Sequence, residues 1–204
     1  MMKLKKHTKS ALCIGGVLIL AALLLMLPLK SDAEVYDKLI RLHVLANSDS
    51  AEDQALKLTV RDALLDEVAA ITAGAADRAE AEARLLEKTD ALAALAEKTL
   101  RENGSSLPVQ VTLGKENYPT REYEGMRLPA GEYSSLRVLI GEAEGQNWWC
   151  VLFPPLCVGS AVKVEEEMLS VGFTPGQVEV LTDTERPAFR LRFKLLELFG
   201  SLFS

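Results

Sequence analysis

A short apolar strand that leads through a polar elbow into a long amphipathic helix is predicted for residues 40–71. Residues 40–45 have the pattern of a strand, and residues 47–50 are Asn, Ser, Asp and Ser, types that cap helices. Asp49 with Glu52, or Ser50 with Asp53, resembles a capping box. Because N–H groups at a helix start attract anions and carboxylates, the elbow is a candidate binding site. The apolar stripe of the helix consists of Leu56, Val60, Ala63, Leu64, Val68 and Ile71.

The remaining chain predicts a single α+β domain in which two helices pack on one face of a mainly antiparallel sheet. The second helix covers residues 77–103, and after residue 107 the apolar period changes to two. The short connections that follow favour antiparallel pairing, since parallel neighbours need long crossovers. Strands are predicted at residues 107–113, 118–126, 136–140, 147–153 and 189–193, with a short helix at residues 162–169 and an apolar helix at the end.

The amino terminus predicts export. Residues 1–10 contain four lysines and no acidic residue, and residues 11–27 are uncharged and mostly apolar. Ser31 and Ala33 are small residues at the positions expected before a signal-peptidase cut, so a cut is predicted between Ala33 and Glu34. Residues 1–33 are therefore a signal peptide or, if uncut, an amino-terminal membrane anchor, and in both cases residues 34–204 face outward.

The exported part is acidic. Residues 34–204 contain 18 basic and 28 acidic side chains, which gives a net charge of −10. Nucleic acids and anionic lipids are recognised through clustered Lys and Arg, so neither is an expected partner. Membrane contact is expected only through residues 1–33, and signal peptidase is the expected processing partner.

Two cysteines and two tryptophans lie close together near residue 150. Cys150 and Cys157 flank a segment with two prolines, and outside the reducing cytoplasm they can form a disulfide or stay as two buried thiols. Neither a metal site nor a cofactor is predicted, because the chain lacks a paired Cys-x-x-Cys motif and phosphate-binding glycine motifs. Trp148 and Trp149 point to opposite faces of their strand, so one is an interaction candidate.

Three blocks resemble the stage II sporulation protein R family. They are RLHVLANSDSAEDQALKLTVRD at residues 41–62, LPAGEYSSLRVLIG at residues 128–141 and QNWWCVLFPPLC at residues 146–157. Residues 192–198 also fit, so the resemblance extends over most of the chain from about residue 35.

The resemblance implies a non-enzymatic exported signal of endospore formation. Such a protein is made in the forespore, enters the space between the two septal membranes and activates a membrane-embedded aspartic protease of the mother cell. That protease processes the precursor of the mother-cell sporulation sigma factor. We expect the receptor-binding face to combine the elbow, the polar side of the first strand and one side of the tryptophan strand: Arg41, His43, Asn47, Asp49, Asp53, Trp148 and Trp149.

Two other hypotheses of function remain open. An exported hydrolase acting on cell wall or peptide would use His43 with a nearby carboxylate, or Cys150. A surface histidine without a chemical role is the simpler interpretation of His43, and a structural envelope protein is the simpler interpretation of the whole chain. No recognised nucleophile motif accompanies His43, so no catalytic residue is predicted.

Overall fold

The computed structural model describes residues 16, 35–123, 125–157 and 161–183, and the backbone alone for residues 161–163. The predicted signal segment, its cut between Ala33 and Glu34, and the predicted strand and helix after residue 188 lie outside these ranges. The six strands are β1 Ile40–Leu45, β2 Val109–Tyr118, β3 Arg121–Tyr123, β4 Met126–Leu128, β5 Gly131–Ile140 and β6 Asn147–Phe153. The five helices are α1 Ala51–Thr72, α2 Arg78–Leu86, α3 Thr89–Glu102, α4 Ala161–Ser170 and α5 Pro175–Thr182.

Four strands form a mixed sheet in the order β2-β5-β1-β6, and β3 pairs with β4 as a separate antiparallel hairpin. The pairs β2–β5 and β1–β6 are antiparallel, whereas the central pair β1–β5 is parallel. The α+β fold with a mainly antiparallel sheet is thus confirmed. The hairpin expected from β5 and β6 does not form, because β1 lies between these two strands.

The first face of the sheet packs against α1, α2 and α3. Alternation in β1 directs Ile40, Leu42 and Val44 to this face, where all three are fully buried. The helices contribute an apolar stripe that includes the predicted residues Val60, Leu64 and Val68 of α1. The core of this layer is completed by Leu85, Leu92, Ala96, Leu100, Leu136, Val138, Ile140, Cys150 and Leu152.

Among the described residues, elements cover the second face along only part of its width. The β3–β4 hairpin and helices α4 and α5 bury an apolar cluster there. Tyr118, Tyr133 and Val151 are the sheet residues of this cluster, and Met126, Leu128, Val164, Met168, Phe173, Val178 and Leu181 cover them. Farther along the same face, Leu45 and Leu139 are only half-buried. The described elements therefore leave the second face with a covered half and an open half.

Several predicted bounds differ from the structure. The helix predicted at residues 77–103 divides into α2 and α3, and at the break the Thr89 hydroxyl donates to the Leu86 carbonyl. The strand predicted at residues 118–126 is replaced by the short hairpin around Gly125, whose φ is +79°. Helix α5 was not predicted; the Thr174–Gln177 capping box and Pro175 are its sequence signal. Within the described residues, no helix has the length and apolar composition needed to cross a bilayer.

Candidate functional site

The polar elbow begins α1 with a side-chain cap. Ser50 is the N-cap, and its hydroxyl accepts from the Asp53 N–H at 3.1 Å. The Asp53 carboxylate in turn accepts from the Ser48 hydroxyl and, at 2.8 Å, from the Asn47 amide. These hydrogen bonds from Ser48 and Asn47 hold the pKa of Asp53 below its ordinary value. The elbow is thus fixed by its own side chains.

The same elbow is tied to the turn between β5 and β6. The Asn47 side-chain oxygen accepts from the Glu142 N–H at 3.0 Å, and the Asp49 carboxylate accepts from the Gln146 N–H at 2.7 Å. Lys57, one turn into α1 and buried, donates to the Gln146 carbonyl at 2.9 Å. Burial lowers the pKa of Lys57, and the nearby charge of Arg61 acts in the same direction. The polar residues of the motif therefore form a clamp between the elbow and this turn.

Two glycines allow the turn to approach the elbow. Gly145 lies against the Ser48 carbonyl, and a Cβ atom at this position would overlap that oxygen. Gly141 lies against the Asn47 side chain and has a φ of +58°, which L residues with a side chain rarely adopt. Both glycines are visible in the sequence, but they carry no information on which segment the turn approaches.

Arg41 is fully buried on the covered half of the second face. Its guanidinium carbon lies 4.2 Å from the ring centre of Tyr118 and 5.0 Å from that of Tyr133. Nε donates to the Cys150 carbonyl at 3.2 Å, and one terminal nitrogen donates to the Tyr123 hydroxyl. Burial raises the pKa of Tyr118 and Tyr133, so the cage around the cation stays neutral. Arg41 of β1 therefore contacts both the neighbouring strand β6 and the β3–β4 hairpin that covers the sheet.

His43 lies one step farther along the same face and is also buried, with 7% of its surface exposed. Its Nδ1 is 2.7 Å from Glu116 Oε1, and its Nε2 is 2.6 Å from Asn147 Oδ1. A carboxylate only accepts, so Nδ1 carries the proton in the first of these bonds. The other Glu116 oxygen accepts from the Ser135 hydroxyl at 2.7 Å.

Glu116 is therefore a half-buried carboxylate with several donors around it. Burial raises its pKa, but the hydrogen bonds from Ser135 and His43, with the charges of His43 and Arg137, outweigh burial and leave the pKa below its ordinary value. The result is an ionised Glu116 that fixes the His43 ring at neutral pH.

The two tryptophans lie on opposite faces of β6, as predicted. Trp148 packs beside the first core, with the Arg61 guanidinium 4.3 Å from its ring centre. Trp149 packs on the second face beside His43, at 5.4 Å between ring centres. The Arg121 guanidinium lies 3.8 Å from the Trp149 ring centre, close enough for a cation–π contact. Both tryptophans are half-buried, so each fills space and keeps an exposed edge.

Cys150 and Cys157 are joined as a disulfide, with Cα atoms 5.4 Å apart. The segment between them contains a cis peptide bond at Phe153–Pro154. Cys150 is consequently not a free thiol in the structure. Among the described residues, no group of three or more His, Cys, Asp or Glu side chains is placed to hold a metal ion.

The structure separates the residues expected to form one receptor-binding face. Asn47, Asp49 and Asp53 belong to the clamp, and the expectation of an exposed polar edge differs from the structure at Arg41 and His43, which are buried under Tyr118, Trp149 and their neighbours. Asp49 does not pair with His43; Glu116 does. Sequence reasoning missed Glu116, Tyr118, Tyr133 and Arg121, although Glu116 and Tyr118 share one face of β2 by simple alternation.

These elements define an α+β domain whose mixed sheet is covered by helices on one face and partly open on the other. The family model of stage II sporulation protein R matches residues 36–163. Stage II sporulation protein R of Bacillus subtilis (strain 168) is 36% identical over 169 residues, which cover 76% of this chain and 75% of the relative. No solved structure matches. The chain belongs to the stage II sporulation protein R family, and its role is in sporulation.

Proposed function

We propose that this protein is an exported signal made in the forespore that activates a membrane-embedded aspartic protease of the mother cell. The activated protease would then process the precursor of the mother-cell sporulation sigma factor. The observation that carries the proposal is the family match over residues 36–163 together with the 36% identical relative. The protein is released into the space between forespore and mother cell, either free after a cut behind Ala33 or held by an uncut amino-terminal segment.

The proposed mode of action is binding without catalysis. An effector activates its receptor only if it binds the active state more tightly than the resting state, which requires a rigid surface and no chemistry. Rigidity is supported by the clamp at Asn47 and Asp49 and by the buried side chain of Arg41. The disulfide of Cys150 and Cys157 also suits a protein that works outside the reducing cytoplasm.

The proposed receptor-binding residues then have two kinds of role. Trp148 and Trp149 each keep an exposed edge and can contact a receptor directly. Arg41, His43, Asn47, Asp49 and Asp53 fix the strands and the elbow, and of these five Asp49 is exposed and can also reach a receptor.

The alternative of an exported hydrolase finds little support at His43. Both ring nitrogens are engaged, by Glu116 and Asn147, and the side chain is buried. A general base must be within hydrogen-bond reach of the proton that it abstracts. The other proposed nucleophile, Cys150, is bonded to Cys157.

The test is deletion of the gene in its own host, with cleavage of the sigma-factor precursor followed by immunoblot. A second strain carries the gene under a promoter active only in the forespore. We expect blocked cleavage in the deletion strain and restored cleavage in the complemented strain. Normal cleavage in the deletion strain would contradict the proposal. Wall hydrolysis by the purified protein that is lost in His43→Ala would instead favour the hydrolase.

A further inference from the structure

The open half of the second sheet face carries basic and apolar side chains on an otherwise acidic protein. Residues 34–204 have a net charge of −10. On this half, register places Arg137 of β5 beside His43 of β1 and opposite Thr112 of β2. Alternation puts Leu45 and Leu139 on the same side, both half-buried, whereas Leu42, Val44, Leu136 and Val138 on the other side of the same strands are fully buried. We call the surface formed by Leu45, Thr112, Arg121, Arg137, Leu139 and Trp149 the open surface.

Arg121 is held flat, and no carboxylate of the described residues pairs with it. Its guanidinium stacks on Trp149 at 3.8 Å, and within the described ranges it forms no ion pair and its buried Nε has no hydrogen-bond partner. A guanidinium fixed by stacking can present its two terminal nitrogens as a fork that matches a carboxylate. Little side-chain entropy remains to be lost when such a group binds an anion.

Arg137 is the second cation of the open surface. Its contact with the shared Glu116 carboxylate is 3.5 Å long, and 42% of its side chain is exposed. Glu116 already accepts from His43 and Ser135 at 2.7 Å each. Arg137 is therefore paired only loosely and can bind a carboxylate of another molecule. An aromatic anchor beside arginines is the composition typical of the residues that dominate binding energy at protein interfaces.

We propose that the open surface binds an acidic, extended segment of the receptor protease, with carboxylates placed against Arg121 and Arg137 and apolar side chains against Trp149, Leu45 and Leu139. This inference rests on the proposed function, because it names the surface through which the signal acts. Charge complementarity favours this surface: an acidic domain repels a carboxylate-bearing chain over most of its surface, whereas Arg121 and Arg137 are cations without a close acidic partner of their own among the described residues. The buried His43–Glu116 pair beneath the surface fixes its shape.

Two variants test the charges. Arg121→Glu reverses the stacked cation, and Thr112→Glu adds an acid across from Arg137. The matched control for the charge reversal is Arg101→Glu, at an exposed cation of α3 on the other side of the sheet. Each is expressed in the forespore of the deletion strain, with secreted amount and thermal midpoint measured in parallel.

We expect each open-surface variant to slow precursor cleavage about tenfold or more, because loss of one anchor at an interface typically has at least that effect. The control should cleave at the wild-type rate. Wild-type cleavage in Thr112→Glu would overturn the inference and leave the proposed function intact, whereas failure of the wild-type gene itself to restore cleavage would contradict the proposed function.

Photo-crosslinking identifies the occupant directly. A benzophenone side chain replaces Leu139 in one strain and Leu86, whose side chain in α2 is 60% exposed, in the control strain. Irradiation during sporulation should join the Leu139 variant, but not the Leu86 variant, to the epitope-tagged protease. Equal adducts from both positions, or an adduct between two copies of this chain at position 139, would overturn the inference.

Discussion

His43 Nδ1 lies 2.7 Å from Glu116 Oε1, and this pair joins the central strand β1 to the edge strand β2 across β5. The two residues are 73 positions apart in the chain. The other Glu116 oxygen accepts from the Ser135 hydroxyl, and the Trp149 ring lies beside His43. The pair therefore links two strands of the sheet at the point where the covered half of the second face meets its open half.

Replacing Glu116 by Gln should lower the free energy of unfolding at pH 7 by about 1–3 kcal/mol, since His43 loses its charged acceptor in a buried site. The pKa of Glu116 lies below its ordinary value of 4.5 in the folded protein, so its stabilisation is present above that pH and is lost as pH falls through the folded pKa. Urea unfolding of both proteins from pH 7 to pH 3 measures the difference. A difference that stays constant with pH would contradict this assignment.

Arg41→Lys should destabilise the protein although the charge is kept. Lysine has no planar fork, so it cannot donate to the Cys150 carbonyl and the Tyr123 hydroxyl while lying against the rings of Tyr118 and Tyr133. The expected loss in the free energy of unfolding is about 1–3 kcal/mol. Arg101→Lys on the exposed side of α3 is the control and should change stability very little. Equal stability of the two variants would mean that the tyrosine cage does not depend on the guanidinium.

The clamp between the elbow and the β5–β6 turn is tested by glycine substitution. Gly145→Ala should reduce the free energy of unfolding by about 1–3 kcal/mol, because its Cβ would overlap the Ser48 carbonyl and force the turn away from Asp49. Gly114→Ala is the control, since a Cβ at this strand position meets no atom within 4 Å. Thermal unfolding of both variants distinguishes the clamp from a general effect of adding a methyl group.

The sequence predicted the local structure of this region well. Alternation in residues 40–45 correctly separated the apolar side of the strand from the side of Arg41 and His43, and the polar residues 47–50 correctly predicted the start of α1. A period of two reports which side chains share a face and does not report what covers that face. Arg41 is buried by Tyr118, Tyr123 and Tyr133, which lie 77 or more positions away, so its burial could not be predicted from its neighbours in the chain.

The order of the strands in the sheet was the second feature that the sequence did not predict. Short connections favour pairing of consecutive strands, and β5 and β6 have such a connection. The structure instead places β1 between them, in parallel with β5 and antiparallel to β6. Contacts between residues distant in sequence, such as Asn47 with Glu142 and Asp49 with Gln146, stabilise this strand order. The sequence indicated the motif residues as a group, but only the tertiary structure identifies their partners.

The disulfide gives the last prediction. Replacing both Cys150 and Cys157 by Ser should lower the free energy of unfolding by about 2–3 kcal/mol, the chain-entropy value for a loop of this length. Adding dithiothreitol to the wild-type protein should produce a similar loss, whereas the double variant should be insensitive to the reductant. Because Arg41 donates to the Cys150 carbonyl, which the substitution keeps, a much larger loss would indicate that the loop also positions β6. Wild-type protein unaffected by dithiothreitol in urea unfolding would show that the two cysteines contribute as buried thiols.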